Sequence, residues 1–146
     1  MKADTGSGKS TQVPKFLLES GLAEKGRIGV TEPRRLAAMS IADRLREELK
    51  DESLVSTRIR FLEEGPKDAP LKVMTDGILL QEFRRDRLFQ MYSAILIDEA
   101  HERSLNIDIL LGIFKDVLRN RPDFRLVIAS ATLDAKLFEK FYENSA

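Results

Sequence analysis

The run Ala3-Asp4-Thr5-Gly6-Ser7-Gly8-Lys9-Ser10 confines this chain more than any other stretch, because it calls for a glycine-rich turn opening directly onto a helix. Gly6 and Gly8 leave backbone N–H groups free to cradle phosphate oxygens. Lys9 supplies a cation for the outer phosphates, and the Ser10 hydroxyl is of the type that ligates magnesium. The helical pattern that follows places the positive end of its dipole at the same phosphates. The usual first glycine of G-x-x-x-x-G-K-[ST] is Ala3 here, small enough to fit the position. Downstream, Asp98-Glu99-Ala100-His101 brings two adjacent acids. Asp98 can hold the magnesium, and Glu99 can orient and deprotonate an attacking water.

At 146 residues and 42% hydrophobic content, the chain is the size of one domain with one substantial core. Lys plus Arg and Asp plus Glu each total 24, so no global basic field attracts nucleic acid and any such contact must be local. There is no cysteine, no run close to the roughly 18 apolar residues of a membrane span, and no signal-peptide pattern. The expectation is an intracellular, cytoplasmic protein without membrane contact, or a nuclear one in a eukaryote. Repeats and low-complexity tracts are absent, and the loosest stretch, Glu63 to Pro70, reads as a loop punctuated by Gly65, Pro66 and Pro70.

Short β-branched runs alternate with longer amphipathic ones, the pattern of an α/β fold whose parallel strands are joined by crossover helices. Strands are expected at 27–31, 57–61, 71–74, 94–97 and 126–129, and helices at 9–20, 34–50, 77–87, 105–120 and 135–142. Ile95-Leu96-Ile97 and Leu126-Val127-Ile128 are continuously apolar, as strands covered on both faces should be. Only Met1 and Lys2 precede Ala3, so the expectation is a chain truncated ahead of the strand that should feed the phosphate loop, with a fold that anchors the loop in another way as the alternative.

With these residues placed, the sequence resembles the first RecA-like motor domain of the DEAH-box RNA helicases of superfamily two, over nearly its whole length. Ala3 to Thr11 is similar to motif I, Thr31-Glu32-Pro33-Arg34-Arg35 to motif Ia and Thr75-Asp76-Gly77 to motif Ib. Asp98 to His101 is similar to motif II and Ser130-Ala131-Thr132 to motif III. Five motifs in register make the resemblance specific. Arg58-Ile59-Arg60-Phe61 and Glu102-Arg103-Ser104 resemble the family's flanking segments.

The resemblance implies ATP and Mg2+ as cofactors and a P-loop NTPase fold with a mostly parallel sheet between two helical layers. The backbone of Thr5, Gly6, Ser7 and Gly8 would wrap the phosphates, with Thr11 continuing that shell. Lys9 would bind the β- and γ-phosphates, Ser10 and Asp98 would hold magnesium, and Glu99 would activate the water beside His101. Arg44 would pack against the adenine, although an ion-pair role on the helix surface is the open alternative. Ser130 and Thr132 would couple nucleotide state to a partner domain, or serve only as a strand end and helix cap.

Thr31, Arg34, Arg35, Thr75 and Gly77 would meet the sugar-phosphate backbone of single-stranded RNA, with DNA as the alternative. Arg84, Arg85 and Arg87 are further basic candidates, or simply the solvated end of a helix. The arginines that complete the family's hydrolytic site come from a second RecA-like domain, absent from this sequence. The chain alone is therefore expected to bind nucleotide weakly, to hydrolyse it negligibly and not to unwind RNA. A small-molecule kinase and a catalytically silent scaffold remain as alternatives, and the kinase has no evident use for Asp98 to His101 or Thr31 to Arg35.

Overall fold

The computed structural model describes residues 9–102 and 104–129. Four helices and six strands alternate along them: α1 (Lys9–Glu19), β1 (Arg27–Glu32), α2 (Arg35–Leu49), β2 (Val55–Ile59), β3 (Leu62–Glu64), β4 (Leu71–Thr75), α3 (Asp76–Arg85), β5 (Tyr92–Ile97), α4 (Leu105–Asn120) and β6 (Arg125–Ile128). The strands form one sheet in the order β3-β2-β4-β1-β5-β6. Every pairing is parallel except the antiparallel β2–β3 hairpin. This is the mixed α/β, mostly parallel architecture of a RecA-like domain.

Alternation along the inner strands divides the core into two layers. On β5, Ala94 and Leu96 join Ile28, Val30 and Val73 beneath Leu17 of α1 and Ala38, Ile41, Ala42 and Leu45 of α2. Ile95 and Ile97 point the other way, to Ile78 and Leu79 of α3 and Ile107, Leu110, Phe114 and Val117 of α4. A strand buried on both sides must be apolar at every position, which is why β5 carries no polar break between Ala94 and Ile97. Phe114 is the centre of the second layer, with ring centroids 5.1 Å from Phe89 and 5.7 Å from Phe124. The buried Lys72 is neutralised by Glu82, which also accepts from the Tyr92 hydroxyl at 2.5 Å.

Helix ends follow local chemistry. The Ser104 side chain accepts from the Ile107 N–H at 3.2 Å, capping α4, and Pro122 stands just beyond the helix's last residue. Lys50, at φ 57, takes the left-handed conformation that closes α2. None of the described helices is long and apolar enough to cross a membrane.

Two expectations need correction. The strand expected at 57–61 runs from Val55 to Ile59, and the chain then reverses through Arg60 and Phe61 into β3, so Glu63 and Glu64 of the expected loop are paired. Phe61, the second of the two turn residues, takes φ 68, a left-handed conformation that Gly or Asn adopts more readily. Asn or Gly usually marks such a turn, and neither is present to give the hairpin away. β6 spans Arg125–Ile128 and is the outer strand on its side of the sheet among the described residues, with Leu126, Val127 and Ile128 only partly covered. The helix expected at 135–142 lies outside the described residues.

Candidate functional site

The site forms where β1 and β5 end beside the first turn of α1. β5 runs out at Ile97, and the Asp98 N–H extends the ladder by donating to the Thr31 carbonyl at 3.1 Å. This holds the Asp98 side chain over the strand ends. Ser10 lies in the first turn of α1, and its hydroxyl donates to Asp98 Oδ2 at 2.9 Å across 88 residues of sequence. Both residues are 5% exposed, so the contact is shielded from bulk solvent.

That separation bears on magnesium. Neighbouring ligands in an octahedron with bonds of about 2.0–2.1 Å lie roughly 3 Å apart. The two oxygens are thus already spaced as adjacent ligands of one ion, and both are the hard donors magnesium favours. The acid cluster around them fits a dication as well: Glu32, Asp98, Glu99 and Glu102 interact electrostatically, with Arg34 and His101 as the nearby positive or protonatable groups.

Glu99 takes φ 57, uncommon for a residue with a side chain. The bend lets its N–H donate to Asp98 Oδ1 at 2.9 Å, and lets the Ala100 N–H donate to the Ala129 carbonyl at 3.0 Å. Such strain costs on the order of 1–3 kcal/mol and persists where surroundings over-determine it. His101 Nε2 lies 3.3 Å from Glu99 Oε2. Burial raises the Glu99 pKa, with repulsion from Asp98 adding to it and His101 opposing.

The strongest perturbation falls on Glu32, the last residue of β1. Burial, contact with the Asp98 carboxyl and repulsion from Asp98, Glu99 and Glu102 push its pKa up to about 10. Ser10, Glu32, Arg34, Arg44, Glu99 and Glu102 line one cleft of roughly 260 Å3, which joins the Ser10 end of the site to α2. Arg44 is half-buried and lines that cleft.

On the neighbouring edge, exposed Arg34 donates to Glu102 at 2.9 Å and exposed Arg35 reaches the Arg60 carbonyl at 3.5 Å. Thr75 and Gly77 are half-buried at the start of α3. Between them Asp76, 5% exposed, faces the Ser104 hydroxyl at 3.5 Å and the Asn106 amide at 3.4 Å.

The structure thus brings Ser10, Arg34, Glu99 and Arg44 to one cleft, with Asp98 against Ser10 and His101 against Glu99. The side chains of two expected site residues turn away from the cleft and its rim. Thr31 is 1% exposed and its hydroxyl donates inward to the Leu96 carbonyl at 3.3 Å, so it offers no side chain to a strand. Thr11 is equally buried and its hydroxyl is engaged by Glu48, not by the cleft. Thr5, Gly6, Ser7, Gly8, Ser130 and Thr132 lie outside the described residues, as does the side chain of Lys9. Sequence reasoning missed Glu32 and Glu102. An acid closing an otherwise apolar strand was the available signal for the first, while the second becomes visible only when the fold brings Arg34 to it.

A sequence profile described as DEAD/DEAH box helicase matches residues 1–141. The chain is 50% identical over 144 residues to the ATP-dependent RNA helicase HrpA of Escherichia coli, covering 97% of this chain and 11% of that protein. It is 46% identical over 147 residues to HrpA of Borreliella burgdorferi, covering 99% and 18%. It is 52% identical over 144 residues to the probable ATP-dependent RNA helicase DHX35 homolog of Caenorhabditis elegans, covering 96% and 20%. The chain therefore spans at most a fifth of the length of these relatives.

Proposed function

The chain belongs to the DEAD/DEAH box helicase family, and from that premise we propose that it is the nucleotide-binding motor domain of an ATP-dependent RNA helicase. The observation that carries this reading is the 2.9 Å contact between Ser10 Oγ and Asp98 Oδ2 with Glu99 beside it. Lys9 opens the same helix and is assigned the β- and γ-phosphates, with the backbone of residues 5–8 around them. Ser10 and Asp98 hold magnesium, which neutralises charge on the phosphates and fixes them relative to the protein.

Glu99 accepts the proton of the attacking water. Its raised pKa is that of a carboxylate short of solvation, which strengthens it as a base. His101 beside it offers a proton-bearing ring to the same carboxylate. Arg44 closes the cleft against the base. Ser130 and Thr132 follow directly on Ala129, whose carbonyl accepts from Ala100, so they are assigned the relay from the acidic motif to a second RecA-like domain. That domain supplies the arginines needed for fast phosphoryl transfer.

Single-stranded RNA lies along Arg34, Arg35, Thr75 and Gly77. A Cβ at Gly77 would meet nothing nearer than Asn106 Nδ2 at 3.7 Å, so packing does not require glycine there. Close approach of another backbone would. Contacts of this kind grip phosphate and sugar without reading bases, as a translocating motor requires.

The test is equilibrium binding of a fluorescent ATP analogue to the chain with and without Mg2+, for wild type and Asp98→Ala. Mg2+ should tighten binding by wild type and have little effect on the variant. Equal Mg2+ response in both proteins would remove Asp98 from the metal site and end this reading.

A further inference from the structure

Glu32 is 2% exposed, lines the cleft beside Ser10, Glu99 and Glu102, and carries an oxygen, Oε2, with no hydrogen-bond partner among the described residues. A buried acceptor left unsatisfied costs about 1–3 kcal/mol, and an apolar side chain of the same size would avoid that cost. Among the described residues, the groups beside it are already engaged or carry acceptors. Asp98, Glu99 and Glu102 carry acceptor oxygens, the Ser10 hydroxyl is directed at Asp98, and the Arg34 guanidinium is directed at Glu102. Among the described residues none is directed at Glu32 Oε2, and a donor arriving with whatever occupies the cleft would satisfy it.

The place of Glu32 selects that donor. Its carboxyl is within hydrogen-bonding reach of Asp98, the residue assigned to magnesium. Magnesium keeps several waters when bound by one or two protein oxygens, and each such water is a strong donor facing away from the ion. Acceptors behind the direct ligands commonly orient a metal's shell. We propose that Glu32 is a positioning residue that accepts a hydrogen bond from a water of the magnesium shell held by Ser10 and Asp98. The assignment rests on the nucleotide-site reading above and extends it to a residue that reading leaves idle.

Glu32→Gln keeps an acceptor oxygen of the same reach, whereas Glu32→Met keeps the volume and removes every polar atom. Binding of a fluorescent ADP derivative to the chain is titrated with Mg2+, and melting is followed in EDTA. Glu32→Met should raise the Mg2+ concentration for half-maximal binding about 10-fold or more, while melting in EDTA no lower than wild type. Glu32→Gln should stay within about threefold of wild type, a difference of under 1 kcal/mol.

An unchanged Mg2+ requirement in Glu32→Met overturns the proposal. So does a lower melting temperature with nucleotide affinity reduced equally with and without Mg2+, since that marks a packing role. If wild type itself shows no Mg2+ dependence, the Ser10–Asp98 metal site fails and this inference falls with it. If wild type and Glu32→Met share the same dependence, only the role of Glu32 is lost.

Discussion

The guanidinium of Arg34 lies 2.9 Å from the carboxylate of Glu102, joining the segment that leaves β1 to the turn that follows the acidic motif. Arg34 is mostly exposed in this pair, so the attraction is weak, of order 0.2–1 kcal/mol. An RNA phosphate at the proposed interface would compete with Glu102 for the same guanidinium. Glu102→Gln removes the competitor, and single-stranded RNA should bind up to about fivefold tighter, the equivalent of that energy. Fluorescence anisotropy with a labelled oligonucleotide checks this. Weaker binding by the variant would mean that Glu102 presents Arg34 to RNA instead of restraining it.

Glu99 separates binding from chemistry. Its side chain is assigned to the water, and Ser10 and Asp98 are assigned to the metal, so Glu99→Gln should leave Mg2+-dependent nucleotide affinity within about twofold. In a longer protein carrying the proposed second motor domain, hydrolysis should fall by roughly 10² to 10⁴. The amide still accepts from a water but cannot take its proton. Steady-state phosphate release checks the rate, and loss of nucleotide affinity in step with rate would move Glu99 to the metal shell.

Much of this was legible in the order of residues, for reasons that differ from element to element. The four described helices were visible from periodicity and the inner strands from apolar runs, because burial on both faces leaves β5 no choice of composition. The Ser10–Asp98 pairing followed from chemistry, since a phosphate loop is useless without an acid for its metal. The β2–β3 hairpin was hidden because Phe61 takes a conformation its side chain disfavours. That the Thr31 hydroxyl turns inward was not legible, because a motif gives a residue's neighbourhood and not the direction of its side chain. Glu102 could be found only in three dimensions, 68 residues from the arginine it holds.

Asp76 gives the fold a pH dependence that can be isolated. Burial raises its pKa above the ordinary 3.8, only partly offset by hydrogen bonds from Asn106, Gly77 and Ser104. The folded state therefore holds this proton more tightly than the unfolded chain does, and stability falls as pH rises from near 3.8 through the raised value. Glu48 and Asp51, whose pKa values are lowered, slope the other way, so the difference from Asp76→Asn is the informative quantity. Relative to that variant, wild type should be most stable at the acid end and lose ground as pH climbs, then level off. Urea denaturation at stepped pH checks this, and a difference that stays constant with pH would place Asp76 in solvent.

Phe61 makes a prediction about the hairpin itself. It is 90% exposed at φ 68, where a side chain meets the carbonyl that follows it, and its contact with Arg60, 5.0 Å from guanidinium carbon to ring centroid, is open to water. Asparagine tolerates the left-handed region better, through local hydrogen bonds of its short amide. Phe61→Asn should therefore stabilise the chain by about 0.5–1 kcal/mol, the usual scale of a turn residue matched to its conformation. The lost ring contact is solvated and offsets little of this. Chemical denaturation measures the change directly. A loss of stability would mean that the Phe61 ring packs on the hairpin more firmly than its exposure indicates.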